Sequence, residues 1–273
     1  MKKLFIVAFF VLAFYSANAS AEGYLFVSPQ RLDLDQRNKI GQLHLVNKSE
    51  SPKAYEIKLV NYKMGEKGSL ERVEEMPHSA KGFLRYSPRR VTLQPQEDQY
   101  IRVMARMPRT LEDGGYHTHV EFNEVEGAFS RKSQDKTDNN QVSFEIASTY
   151  SVAVPVFVTK GEISANADII DVSTDIKSGS NKGAAFVKIR RNGNSTSYNL
   201  LKILYIDSNG KVHIATTPAK TSVYREIDEI NRRFQLNLPE GVKFSGGKIK
   251  VAIYPIDSKD EGSPLDEVIT DIN

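Results

Sequence analysis

The stretch "VSFEIASTYSVAVPVFV", residues 142 to 158, limits the possible folds more than any other part of the chain. Val142, Phe144, Ile146, Tyr150, Val152, Val154 and Val156 all fall on even positions, the period of a β-strand with one apolar face, and Ser148 interrupts the row. A strand of about 15 residues would span roughly 50 Å, where a length of about 5 to 6 residues is common. A long apolar strand edge templates aggregation. A protein that keeps one either covers it or pairs it with another chain.

The rest of the chain is written in the same grammar. "YLFVSPQRLDL", "GQLHLVNKS", "AYEIKLVNY", "RRVTLQPQ", "QYIRVMAR" and "YHTHVEFNEV" are short alternating runs bounded by turn residues, and no segment carries a long helical apolar stripe. This predicts an all-β antiparallel sandwich. Leu111 to Tyr116 has the form of a tyrosine corner before a central strand, with an ordinary Gly-rich turn as the alternative. Residues 126 to 141 are polar and charged and read as a mobile hairpin loop. Gly161 reads as a hinge between two units.

The second half repeats the pattern with other punctuation. "SNGK" at 208 to 211 predicts a two-residue hairpin turn, and "RNGN" at 191 to 194 a weaker turn. Residues 222 to 233 read as a short helix or a charged loop, and the tail from Asp257 as frayed.

The first 21 residues have the form of a secretory signal peptide. Lys2 and Lys3 precede the apolar run Leu4 to Tyr15, which is too short for a transmembrane span. "ANA" and "ASA" offer cleavage before Ser20 or before Glu22, the second being favoured. Its removal takes away two lysines and no acid, so the formal charge falls from +3 to +1. That balance argues against a basic polyanion-binding surface, and hence against a nucleic-acid partner. The remaining 252 residues suggest two domains, 22–160 and 161–273. Cysteine and tryptophan are absent, so packed cores of Phe, Tyr, Val, Ile and Leu must stabilise the exported protein without disulfides.

No catalytic constellation stands out. The sequence has no GxSxG, Walker, dinucleotide or HExxH motif. His117 and His119 would share one face of a strand, but no third ligand lies within sequence reach, which predicts solvated strand histidines rather than a metal site. Asp168, Asp171 and Asp175 lack the Gly and terminal Glu of a calcium loop and read as surface acids. The expectation is a protein that is not an enzyme and has no cofactor.

Several segments in order, "VSPQRLDL", "LVNKSESP", "YSPRRVTLQPQEDQYIRV", "YHTHVEF" and "SVAVPVFVTKG", resemble the periplasmic chaperones of the chaperone/usher pathway, the PapD-like pilus-assembly chaperones. The resemblance covers essentially residues 24 to 161, with a looser match in "VKIRRNGNSTSYNLLKILYIDSNGK". It implies two immunoglobulin-like β-sandwich domains set at an angle, a periplasmic location, and pilus subunits and an outer-membrane usher as partners. It further implies that the strand closing the first domain is lent to a subunit that lacks its own last strand. The donor residues would be Val142, Phe144, Ile146 and Tyr150.

The family also anchors the subunit's terminal carboxylate with two cations in the cleft between its domains. Arg31 matches the first, with a solvated strand-end arginine as the alternative reading. Pro155 stands where many members have Lys, which leaves Arg89, Arg90 and Lys160 as candidates for the second. The subunit-free protein could cap its edge by self-association. The rival readings are a secreted immunoglobulin-like pilus or adhesin subunit, expected to carry a donor segment near its mature N-terminus, and a surface-binding module, expected to carry an aromatic platform.

Overall fold

The computed structural model describes residues 25–125, 150–257 and 263–272. Residues 1–21, expected to be a signal peptide, and Val142, Phe144 and Ile146, expected to be donor positions, lie outside the described residues. So does the loop 126–141.

Among the described residues, ten strands form the first sandwich: β1 (Leu25–Ser28), β2 (Leu32–Leu34), β3 (Ile40–Asn47), β4 (Lys53–Met64), β5 (Leu70–Val73), β6 (Leu84–Ser87), β7 (Arg90–Leu93), β8 (Asp98–Ala105), β9 (Gly114–Glu124) and β10 (Ser151–Lys160). One sheet has the order β1-β3-β8-β6. The other runs β2-β10-β9-β4-β5, with β7 also paired to β4. Alternation supplies the core between them: Ile101, Val103 and Ala105 of β8 are buried, while Asp98, Tyr100 and Arg102 point to solvent. Leu43 and Leu45 from the first sheet meet Ile57, Val120, Phe122, Val154 and Val156 from the second.

The second sandwich contains β11 (Ala165–Ile176), β12 (Lys182–Gly193), β13 (Ser197–Ile206), β14 (Val212–Ile214), β15 (Ala219–Val223), β16 (Glu229–Asn237), β17 (Lys248–Pro255) and β18 (Asp266–Asp271). Its sheets are β11-β12-β16 and β14-β13-β17-β18, with β15 paired to β13. Leu201, Ile203 and Tyr205 of β13 face inward onto Val187, Ile189 and Leu236. All-β architecture in sandwiches is therefore as the alternation predicts.

The tyrosine corner is present. Tyr116 Oη donates to the Glu112 carbonyl at 2.9 Å and ties the loop to the start of β9. Gly161 follows β10 at φ 64°, and a Cβ there would meet the Asp113 carboxylate at 2.0 Å, so the junction loops close on each other only with glycine at this position.

Four local expectations change. The turn after β13 spans Asp207–Lys211, where Asp207 Oδ1 accepts from the amides of Asn209 and Lys211; the two-residue reading missed this side-chain bracket. Residues 222–233 are neither helix nor charged loop: they hold the end of β15, a short turn and the start of β16, and Tyr224 and Ile230 pack into the core. The tail is not frayed along its length, because β18 pairs with β17 and packs Val268 against the core. The histidines of β9 are not solvated: His117 is 0% and His119 2% exposed. Asp168, Asp171 and Asp175 do lie exposed along β11.

Tyr116→Phe removes one hydrogen bond and leaves the ring packing in place. Urea denaturation is expected to show a loss of about 0.5 to 1.5 kcal/mol with an unchanged slope.

Candidate functional site

Strand β9 explains the contact between the sandwiches. Tyr116, Val120 and Phe122 turn into the first core. His117, His119 and Glu121 occupy the opposite face, and they too are buried. A strand covered on both sides loses its polar alternation in burial while keeping it in sequence.

The second sandwich covers this face at His117, while Tyr62 of β4 and Arg72 of β5 cover it at His119 and Glu121. His117 Nε2 lies 2.9 Å from Glu226 Oε2, and both side chains are 1% exposed. The other carboxylate oxygen of Glu226 accepts the Met64 amide at 2.9 Å. Burial pushes the Glu226 carboxyl up, but the hydrogen bond and charge of His117 and the Met64 amide outweigh it, and the net shift is down. His119 has no hydrogen-bond partner on either ring nitrogen and packs edge-on to Tyr62, with ring centroids 4.9 Å apart. Burial, with a smaller contribution from His117, pushes it down to about 3, so it sits there as a neutral ring.

Backbone bonds extend the junction. The Gly115 amide donates to Asn194 O at 2.9 Å and Arg225 Nη1 donates to Gly115 O at 3.1 Å. A Cβ on Gly115 would come within 2.2 Å of Ser195 Oγ, so this close approach also requires glycine. Phe157 and Met64, from the first sandwich, pack into the core of the second.

Beside this junction opens a cleft of about 880 Å³ lined by both sandwiches. Arg31 is its central cation. Its guanidinium lies 3.8 Å from the Phe157 ring centroid and 4.0 Å from that of Tyr198, a stack that joins β10 to β13. Its Nε and Nη2 each donate to the Asp33 carboxylate at 2.8 Å. Arg31 is thus a stacked, oriented cation rather than a solvated strand-end side chain. Tyr224 borders the same cleft, its hydroxyl pushed up to about 12 chiefly by burial.

The other predicted cations are elsewhere. Lys160 donates to the carbonyls of Arg109 and Leu111, and Arg89 lines a separate pocket beside Lys58 and Arg85. Neither lines the cleft with Arg31. Pro155 does, and the second basic side chain there is Lys220, carried on β15 opposite Leu200. Nothing local in "TTPAKTSV" marks Lys220; only the packing of the two sandwiches brings it to Arg31.

The long apolar row divides at β10. Val152, Val154, Val156 and Val158 face the first core, and Tyr150, just before the strand, is 55% exposed. On its outer side β10 pairs in parallel with β2 only at Val156–Val158. Among the described residues, Ser151–Pro155 have a strand partner on one side alone. The Glu124 amide donates to Tyr150 O at 3.1 Å, so the backbone groups of even residues turn toward β9 and those of odd residues toward the open edge. Pro155 is odd-numbered. Its missing N–H falls on the outer side and leaves the ladder with β9 intact.

No family model matches the sequence, and no curated protein matches it. Among solved structures, a chaperone–tip adhesin complex of CFA/I fimbriae biogenesis is 15% identical, with 91% of this chain and 98% of that one covered at a TM-score of 0.45. The CsuC–CsuE chaperone–tip adhesion subunit complex from archaic chaperone-usher Csu pili of Acinetobacter baumannii is 11% identical over 91% and 97%, at 0.45. The Salmonella enterica SafA pilin in complex with the SafB chaperone is 12% identical over 90% and 96%, at 0.42. These neighbours are structures of fimbrial chaperones.

His119 and Glu226 give the junction a pH dependence. An unfolded His119 titrates near its ordinary value of 6.5 and the folded one near 3, so the unfolded state binds more protons between those values. Its contribution is present above pH 6.5 and is lost as pH falls toward 3. Glu226, lowered from 4.5, adds a loss of the same sign below that value. Denaturation at stepped pH is expected to show stability falling by on the order of 4 kcal/mol between pH 7 and pH 3, with a shallower fall in His119→Phe.

Proposed function

We propose that the protein is a periplasmic chaperone that binds pilus subunits by strand donation and hands them to an outer-membrane usher. The observation that carries this reading is the edge of β10: among the described residues, Ser151–Pro155 offer backbone groups without a strand partner on the outer side. In sequence this edge continues directly into Val142, Phe144, Ile146 and Tyr150, the row of apolar residues proposed to fill a subunit's open groove. Each buried Val, Ile or Phe contributes about 1.5 to 3 kcal/mol before ordering costs, so three or four of them suffice for capture.

The units 22–160 and 161–273 are proposed to act as the two walls of the subunit site. The cleft between them suits the terminal carboxylate of the subunit. Arg31 would orient it, since Nη1 is the guanidinium nitrogen not committed to Asp33, and Lys220 would supply the second cation in place of Lys160 or Arg89. Self-association of the subunit-free protein through the same edge is part of the proposal, and no chemical reaction is assigned to the chain.

Co-expression with candidate subunits from the same genome tests the reading. Wild type should yield a one-to-one periplasmic complex, and Phe144→Asp with Ile146→Asp should weaken it by about a hundredfold or more while remaining folded. An unchanged complex overturns the donor-strand mechanism. Lys220→Ala should weaken the same complex by about tenfold, and an unaltered affinity removes it from the anchor.

A further inference from the structure

A second recessed surface lies on the first sandwich, remote from the cleft. β4 pairs with β7 through Lys53–Glu56 and with β5 through Asn61–Met64. Between these two pairings, among the described residues, Lys58–Val60 have a strand partner only on the β9 side. The Ile57 amide donates to Arg89 O at 2.9 Å and the Ile57 carbonyl accepts from Tyr86 Oη at 3.0 Å, so odd residues of β4 direct their backbone groups to this side. The next odd residue is Leu59, whose backbone groups therefore face the gap.

The gap is a pocket of about 430 Å³ with Leu59, Val60, Val73 and Leu84 among its apolar lining. Its basic lining consists of Lys58, Arg72, Lys81, Arg85 and Arg89, against Glu74 as the acid. Two of the five cations are neutralised: Lys58 reaches Glu56 at 2.7 Å and Arg72 reaches Glu121 at 3.2 Å. Arg85 donates to the carbonyls of Gly82 and Leu84, and Arg89 lies 5.9 Å from the Tyr86 ring centroid. Among the described residues neither these two nor Lys81 has a carboxylate within ion-pair distance. All three are exposed.

We infer that this pocket docks an extended acidic segment of a partner protein. The open stretch of β4 supplies main-chain pairing, as in strand addition to a sheet edge, and the apolar floor accepts alternate side chains. The cations stand around the rim rather than converging on one buried point, which fits carboxylates spaced along a strand and not a single inorganic anion. The near-neutral charge of the whole chain hides this concentration because acids elsewhere balance it. The inference is independent of strand donation by β10 and uses other residues.

Fluorescence anisotropy on the full chain tests it, with a tagged, end-capped hexapeptide of alternating valine and glutamate as the probe. Binding is expected, weakening with added salt, and about tenfold or more tighter than that of the glutamine analogue. Lys81→Glu with Arg85→Glu and Arg89→Glu should abolish it. The charge-matched control Lys182→Glu with Lys211→Glu and Lys243→Glu, on the second sandwich, should bind as wild type does. Should the triple reversal at the pocket unfold the chain, Arg89→Gln with Lys81→Gln provides the milder variant, with an expected loss of about tenfold. Equal binding of the glutamine peptide, equal loss in the control, or displacement by inorganic phosphate as effective as by untagged peptide overturns the proposal.

Discussion

The structure depends on one strand being buried on both faces. β9 gives Val120 and Phe122 to the first core and His117 and His119 to the contact with the second sandwich. Because successive side chains point to opposite sides, neither set can move without the other. The tyrosine corner at Tyr116 and the Gly115–Asn194 bond hold the start of the same strand. The placement of the second sandwich is therefore set by the register of β9 against β4 and β10.

That arrangement has an electrostatic side. Glu226 crosses from the second sandwich to His117 and takes the Met64 amide as well, so a buried carboxylate is solvated by the protein in place of water. His119 has no such partner and stays neutral, at the cost of its proton affinity. The Arg31 guanidinium stacks between Phe157 and Tyr198, one ring from each sandwich, and pairs with Asp33. The junction thus combines a buried interior, in which the Glu226 carboxylate is satisfied and three imidazole nitrogens are not, with a cationic mouth.

The fold was largely legible in the sequence. Alternation in "QYIRVMAR" and "NLLKILYID" marks strands with one inner face, and those faces are buried. The tyrosine corner was one of two readings of "LEDGGY", and a single hydrogen bond decides for it. Errors arose where long-range pairing overrides local composition. The tail around "DEVITD" is polar enough to read as frayed, yet the neighbouring β17 gives it a ladder, and "YREIDEINRR" looks helical or solvated until β12 pairs with β16.

The candidate site was less legible. Arg31 could be selected from its motif, but one of the two rings it stacks on is Tyr198, 167 positions away. Arg89 and Lys160 were reasonable cations by sequence distance and are placed elsewhere by the fold. By itself the sequence determined most of the strands, their inward faces and the apolar row that runs into β10, because side-chain alternation is a local property of an extended backbone. The tertiary structure alone decided that His117 and His119 are buried, that Lys220 shares a cleft with Arg31, and that Ser151–Pro155 of β10 have a strand partner on one side alone among the described residues. Those facts depend on which surfaces meet, and contacts between residues distant in the chain leave no periodic mark on either segment.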